Sequence, residues 1–158
     1  MIRDARPDDD AAACAAIYAP SVDPGVASFE LTPPDAGEMA VRIADAPAWV
    51  VVEEHEELLG FAYAGPFNAR AAYRFAVNVS VYVAAVHHRR GLGRALYEEL
   101  FARLRAQGIR WACAGITLPN AGSVGLHEAL GFQPVGVYRQ IGFKHGAWHD
   151  VGWWQLEL

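Results

Sequence analysis

Residues Ser80–Leu96 read Ser-Val-Tyr-Val-Ala-Ala-Val-His-His-Arg-Arg-Gly-Leu-Gly-Arg-Ala-Leu. The stretch opens as the end of a strand running from Phe75 to Val83. Val77, Val79, Val81 and Val83 share one face at period two, and Asn78, Ser80 and Tyr82 share the other. It closes as a helix: Leu92, Leu96, Leu100 and Leu104 recur every four residues, and Phe101 widens the stripe. Between them lies the loop Arg89-Arg90-Gly91-Leu92-Gly93-Arg94. A strand, a glycine turn and a helix N-terminus make an anion site, because glycines admit close approach, free N–H groups point outward and the helix dipole favours negative charge. Arginines add charge-assisted bonds to phosphate oxygens. By itself the loop also suits a plain strand-to-helix turn. It is not a P-loop, and the Rossmann fingerprint is missing because Gly91-Leu92-Gly93 is followed by Arg-Ala-Leu.

Outward from this stretch, residues 1–6 read as a short edge strand. Asp8 can cap a helix carrying Ala12, Cys14, Ile17 and Tyr18 and stopping near Pro20. Residues 20–29 read as a loop. Thr32, Pro33 and Pro34 open a second helix with Met39, Val41 and Ile43 as its apolar members. Ala48–Glu54 and Leu58–Ala64 form a hairpin about a Glu56-Glu57 turn. After the central helix, which ends at Gly108, come a strand over Ile109–Leu118 and a short helix from Asn120 to Gly131. Two final strands follow, Val135–Phe143 and Trp148–Leu158. Strands mixed with helices in this order predict an α/β (α+β) sheet with helices on both faces.

The chain has 158 residues and no repeat or linker, so 1–158 reads as one domain. Apolar residues make up 53% and charged ones 20%, a globular composition. The net charge of −5 gives no support to nucleic-acid binding, and an acidic protein that holds a polyanion must gather positive charge locally, as Arg89, Arg90 and Arg94 do. Cys14 and Cys113 lack metal-type spacing and read as small buried hydrophobes. The N-terminus shows no apolar signal region, and no apolar run is long enough for a membrane span, so the expected setting is cytoplasmic.

His88-Arg89-Arg90-Gly91-Leu92-Gly93 resembles the Q/R-x-x-G-x-G/A pattern of the GCN5-related N-acetyltransferase superfamily, with His88 in place of the usual Gln or Arg. More narrowly, the chain resembles the phosphinothricin and methionine sulfoximine N-acetyltransferases. The likeness is carried by Tyr18 with Ser28-Phe29-Glu30, by Ala71-Ala72-Tyr73-Arg74 ahead of Ser80-Val81-Tyr82-Val83, and by Leu118-Pro119-Asn120 with Ser123 and His127-Glu128-Ala129-Leu130-Gly131-Phe132. Gly142-Phe143-Lys144-His145-Gly146 and Trp148-His149-Asp150-Val151-Gly152 complete it. The resemblance implies a mixed sheet of six to seven strands with a splayed central pair and acetyl-CoA as cosubstrate. It also implies a homodimer.

It further implies that the pantetheine arm pairs with main chain at Val81 and Val83 beside Tyr82. Arg89, Arg90, Gly91, Leu92, Gly93 and Arg94 would grip the pyrophosphate, with Asn120 and Ser123 near the arm. Glu30 is the first candidate general base, since a carboxylate can take the ammonium proton. Asn78 stands where relatives commonly carry a glutamate; it cannot take a proton at neutral pH but can orient water or amine. So Glu30 serves alone, water relays the proton, or the substrate differs. Phe29, Arg70, Tyr73 and Arg74 are candidate substrate contacts, arginine forks suiting carboxylate, phosphinate or sulfoximine groups. His127 either protonates the leaving thiolate or simply packs. Lys144, His145, His149 and Asp150 shape the substrate loop or a dimer contact, and no metal is expected. The expected reaction is direct acetyl transfer from acetyl-CoA to the primary amine of a small amino acid analogue. Another small amine, or a weakly catalytic CoA-binding sensor, is the alternative.

Overall fold

The computed structural model describes all residues 1–158. The strands are β1 (Ile2–Asp4), β2 (Ala48–Glu54), β3 (Glu57–Pro66), β4 (Ala76–Val83), β5 (Trp111–Leu118), β6 (Gln133–Lys144) and β7 (Ala147–Glu157). The helices are α1 (Pro7–Val22), α2 (Ala36–Asp45), α3 (Leu92–Ala106) and α4 (Ala121–Ala129). One seven-stranded sheet has the order β1-β2-β3-β4-β5-β7-β6. Its only parallel neighbours are β4 and β5. The expected α/β sheet with helices on both faces is what forms.

Strand alternation explains the two cores. Val77 and Val79 face α3, joining Leu96, Tyr97, Leu100, Phe101 and Leu104 in one cluster. On the opposite face Trp49, Val51 and Phe61 pack on Cys14, Tyr18, Met39 and Ile43 of α1 and α2, with Tyr82 at the border. The leucine stripe of α3 is the period-four pattern realised: Leu96, Leu100 and Leu104 are fully buried.

Several local expectations are corrected. Asp8 does not cap α1. Pro7 occupies the first helical turn, and Asp10 reaches back to the main-chain N–H of Arg6. Pro20 does not end α1, which continues one further turn because Val22 is fully buried there. The second helix starts at Ala36, where Asp35 caps the N–H of Glu38 at 2.8 Å; residues ahead of a proline are pushed out of the helical region, so Thr32–Pro34 stays extended or turned. Val41 is exposed, since it lies half a turn from Met39 and Ile43, which are buried. The hairpin turn falls on His55 and Glu56, both with positive φ, and Glu57 already belongs to β3. Cys113 is only half-buried.

The edge β1 is tied to α1 by charge. Arg3 spans the carboxylates of Asp10 (2.7 and 2.9 Å) and Glu53 (2.7 Å). Burial alone would raise the Asp10 pKa, but the hydrogen bonds from Arg3 and from the Arg6 N–H outweigh it and hold it below the ordinary value. A depressed carboxyl stabilises the fold above its unfolded pKa, and that stability is lost as pH falls through the folded value. Asp10→Asn is expected to cost about 3 kcal/mol in urea denaturation at neutral pH, because Arg3 loses a buried partner. The gap to the parent should shrink below about pH 4; a gap that does not depend on pH would contradict the assignment.

Candidate functional site

β4 and β5 pair only through Ala76↔Trp111, Val77↔Ala112 and Asn78↔Cys113. Both strands continue, to Val83 and Leu118, without pairing further. The gap is a cleft of about 240 Å³. Val79–Val83 form one wall and Ala114–Thr117 the other, and Tyr97, Asn120, Ser123 and His127 also line it. A second cleft of about 360 Å³ shares Val83, His88, Thr117 and Asn120 with it and extends past Pro20 and Ala27. Splayed strands leave main-chain groups without a strand neighbour, and an extended ligand can take that place. At Val83 the carbonyl is already held by His88 Nε2 at 2.8 Å.

Near the His88 end of the cleft, α3 begins at Gly91, whose φ of +77° lies in the left-handed region and whose absent Cβ leaves open space. No side chain caps this helix. Its first main-chain bond runs from Ala95 to Gly91, so the N–H groups of Leu92, Gly93 and Arg94 have no helical acceptor. Gly93 serves packing: a Cβ there would lie 3.3 Å from Leu126 of α4. The arginines are less concentrated than the sequence suggests. Arg90 is clasped by both oxygens of Glu54 (2.8 and 3.0 Å), and Arg94 by Glu98 at 2.9 Å. Arg89 forms no ion pair. Exposed pairs of this kind are weak, so a phosphate can compete for them. An uncapped helix start, a glycine turn and one free arginine fit a phosphate-bearing ligand.

The inner end is polar. Asn120 Oδ1 accepts the N–H of Ser123 at 3.1 Å, capping α4 and leaving only the amide NH2 for a ligand. His127 is buried, with Nδ1 2.7 Å from the Ser123 carbonyl and Nε2 3.0 Å from the Tyr97 hydroxyl. Burial pushes its pKa below the ordinary imidazole value, against the opposing Ser123 bond. Asn78 sits at the last paired position before the strands part, and its Oδ1 is buried without a partner. Buried acceptors are rarely left so, and this one is free to take an N–H.

Glu30 is not a free carboxylate. Arg42 binds both its oxygens, and the Tyr18 hydroxyl donates to it as well. Arg42 holds its pKa below the usual carboxylate range, burial opposes, and Tyr18 adds to the lowering. Arg42 has no sequence signal for this role beyond its spacing to Glu38, and it went unrecognised, as did Tyr97. Lys144 is buried and donates to the carbonyls of Val22 and Ser28, fixing the loop that carries Glu30. Phe29 lies across Gly142, where any Cβ would meet its ring at 2.2 Å. Arg70, Tyr73 and Arg74 are exposed and line neither part of the cleft. Arg74 stacks on Phe75 at 4.4 Å, and Tyr73 packs against Phe67. Both cysteines are free; burial drives the Cys14 thiol up to about 12, and that of Cys113 also upward. Neither is poised as a nucleophile.

The chain is similar to proteins of one kind. It is 48% identical over 117 residues, 74% of its length, to a phosphinothricin N-acetyltransferase of Streptomyces viridochromogenes. It is 39% identical over 112 residues, 71% of its length, to an L-methionine sulfoximine/L-methionine sulfone acetyltransferase of Pseudomonas paraeruginosa. The matched region spans a little under two thirds of each of these curated relatives, 64% and 65%. The whole chain superposes on 88% of the crystal structure of a phosphinothricin acetyltransferase from Sinorhizobium meliloti in complex with AcCoA, at a TM-score of 0.94 and 39% identity. The family model for the acetyltransferase (GNAT) domain matches residues 4–153. With its splayed strand pair and uncapped glycine-led helix, the chain belongs to the GNAT acetyltransferase family.

Proposed function

We propose that the protein, acting as one domain, is an acetyl-CoA-dependent N-acetyltransferase. It moves the acetyl group directly to the primary amine of phosphinothricin or of a methionine sulfoximine or sulfone. The observation that carries this reading is the cleft between β4 and β5, which runs from the uncapped start of α3 to the orphaned Asn78 Oδ1. In it the pyrophosphate meets the N–H groups of Leu92, Gly93 and Arg94 together with Arg89. The pantetheine arm lies along Val81–Val83 and receives a bond from the Asn120 amide. The thioester reaches the seam near Asn78.

At the seam Asn78 Oδ1 accepts a hydrogen bond from the acceptor amine and aims its lone pair at the thioester carbonyl. The tetrahedral oxyanion needs a donor, and main-chain N–H groups on the splayed strand supply one. Glu30 keeps its ion pair with Arg42 and anchors the loop that bears Phe29 against Gly142. A carboxylate so engaged is a weak base, so the ammonium proton leaves by water. With both cysteines buried or half-buried and their pKa values raised, no acyl-enzyme forms. Arg70 and Arg74, on the exposed loop ahead of β4, meet the acid group of the acceptor once it is bound.

A homodimer fits the far edge of the sheet. The edge strand β6 exposes Val135, Val137, Tyr138, Ile141 and Phe143, and Trp148 of β7 stacks on Phe143 at 5.0 Å between centroids. An edge this apolar calls for cover, and a second copy supplies it. The protein works in the cytoplasm, a reducing setting that suits its free thiols; no helix is long and apolar enough to cross a membrane.

Arg89→Ala is expected to raise the KM for acetyl-CoA roughly tenfold, through loss of one charge-assisted bond, whereas Glu54→Gln should lower it by releasing Arg90. Unchanged KM in both would place the phosphates elsewhere. Glu30→Gln should raise the KM for the amine roughly 3- to 30-fold through a loosened loop and keep the shape of the pH profile. Loss of the basic group from that profile would restore Glu30 as the base. Light scattering should give twice the chain mass of 17.2 kDa, and Trp148→Lys should shift it toward one copy; a monomeric parent would remove the dimer.

A further inference from the structure

Resting on the acetyl-transfer reading, the inference concerns how the departing thiolate acquires its proton. His127 stands at the inner end of the cleft with both ring nitrogens engaged. A carbonyl oxygen only accepts, so the contact between Nδ1 and the Ser123 carbonyl places the ring proton on Nδ1. A neutral ring then offers a lone pair at Nε2, and the Tyr97 hydroxyl must be the donor. The alternative, a doubly protonated ring donating to the phenol oxygen, would put a cation among Tyr97, Phe101 and Phe132, all buried, with no counter-charge. The titratable groups of the surrounding elements are Tyr97 on α3, Tyr82 and His88 on the cleft wall and Glu128 on α4. The Glu128 carboxylate accepts from Trp154 Nε1 instead, and no carboxylate reaches the imidazole.

We propose that Tyr97 is a positioning residue that fixes His127 as the neutral Nδ1–H imidazole, so that the leaving thiolate takes its proton from the attacking nitrogen rather than from His127. The step balances without a side-chain acid. The amine nitrogen forms the C–N bond, the C–S bond breaks, and its electron pair leaves on sulfur. The proton shed by the acylated nitrogen, directly or through a cleft water, then passes to that sulfur. His127 meanwhile acts through geometry. Its Nδ1–H braces the first turn of α4, the same turn that Asn120 caps against the cleft.

Tyr97 looks, in sequence, like one more apolar member of the α3 stripe, between Leu96 and Leu100. Its hydroxyl distinguishes it: a leucine or phenylalanine would fill the same space and leave His127 Nε2 unpartnered. Removing that donor withdraws a bond that only the neutral ring can accept, so the imidazole pKa should rise.

Long-range proton–nitrogen spectra of the histidine rings test this, in the parent and in Tyr97→Phe, beside pH profiles of kcat. In the parent, His127 should show the Nδ1–H neutral pattern, unchanged from about pH 5.5 to 8.5, and kcat should show no limb that follows it. In Tyr97→Phe the ring should titrate inside that window, and kcat should fall roughly 2- to 10-fold with a new pH-dependent limb. A parent ring that titrates there, an Nε2–H pattern, or a Tyr97→Phe protein matching the parent in both measurements would overturn the proposal. The spectra need no substrate. The expected spectra with no turnover on any amine would therefore sink the acetyl-transfer reading while upholding the role of Tyr97 toward His127.

Discussion

The structure depends on the parting of one strand pair. β4 is paired along its whole length with β3, from Gly60↔Val83 to Pro66↔Val77, and β5 along its whole length with β7, from Trp111↔Glu157 to Leu118↔Asp150. Each half of the sheet is complete on its outer side. Only the seam between them is left open after three residue pairs. Below the seam, α3 and α4 bring Tyr97 and His127 to the cleft, and Gly93 lets the two helices approach closely. Unpaired main chain is costly when buried, so a seam of this kind survives by remaining a cleft that a ligand or water can satisfy.

Charge around the seam is arranged by competition more than by accumulation. Of the three arginines in the loop, two are occupied by carboxylates from β2 and from α3 itself. The ligand end of the cleft is therefore nearly balanced, as expected for a chain with net charge −5, and the helix start with its free N–H groups becomes the fixed part of the anion site. The same economy appears at the acceptor side. Glu30, the obvious carboxylate, is spent on Arg42 and Tyr18, and Asn78 is the polar group left open.

Periodicity made the central elements legible. The valines of β4 and the leucines of α3 face where their spacing sends them, because a two-residue and a near-four-residue repeat each specify a face. The parting of β4 and β5 was legible only through family likeness; nothing in either strand's pattern says that pairing stops after Asn78. Side-chain partnerships were the least legible. Glu30 meets Arg42 twelve residues on, and His127 meets Tyr97 thirty residues back. Such contacts are set by how α1, α2, α3 and α4 dock, which no local window encodes. Small misreadings, such as the cap at Asp35 or the turn at His55-Glu56, reflect rival polar residues standing side by side.

The central claim is that the open half of the seam receives an extended ligand anchored at the start of α3. Amide hydrogen exchange with and without acetyl-CoA tests it most directly. Protection should appear at Val79–Val83, Ala114–Thr117 and Leu92–Arg94, and the paired segment Ala76–Asn78 should change little. Protection at the β6–β7 edge with none along the seam would contradict the account.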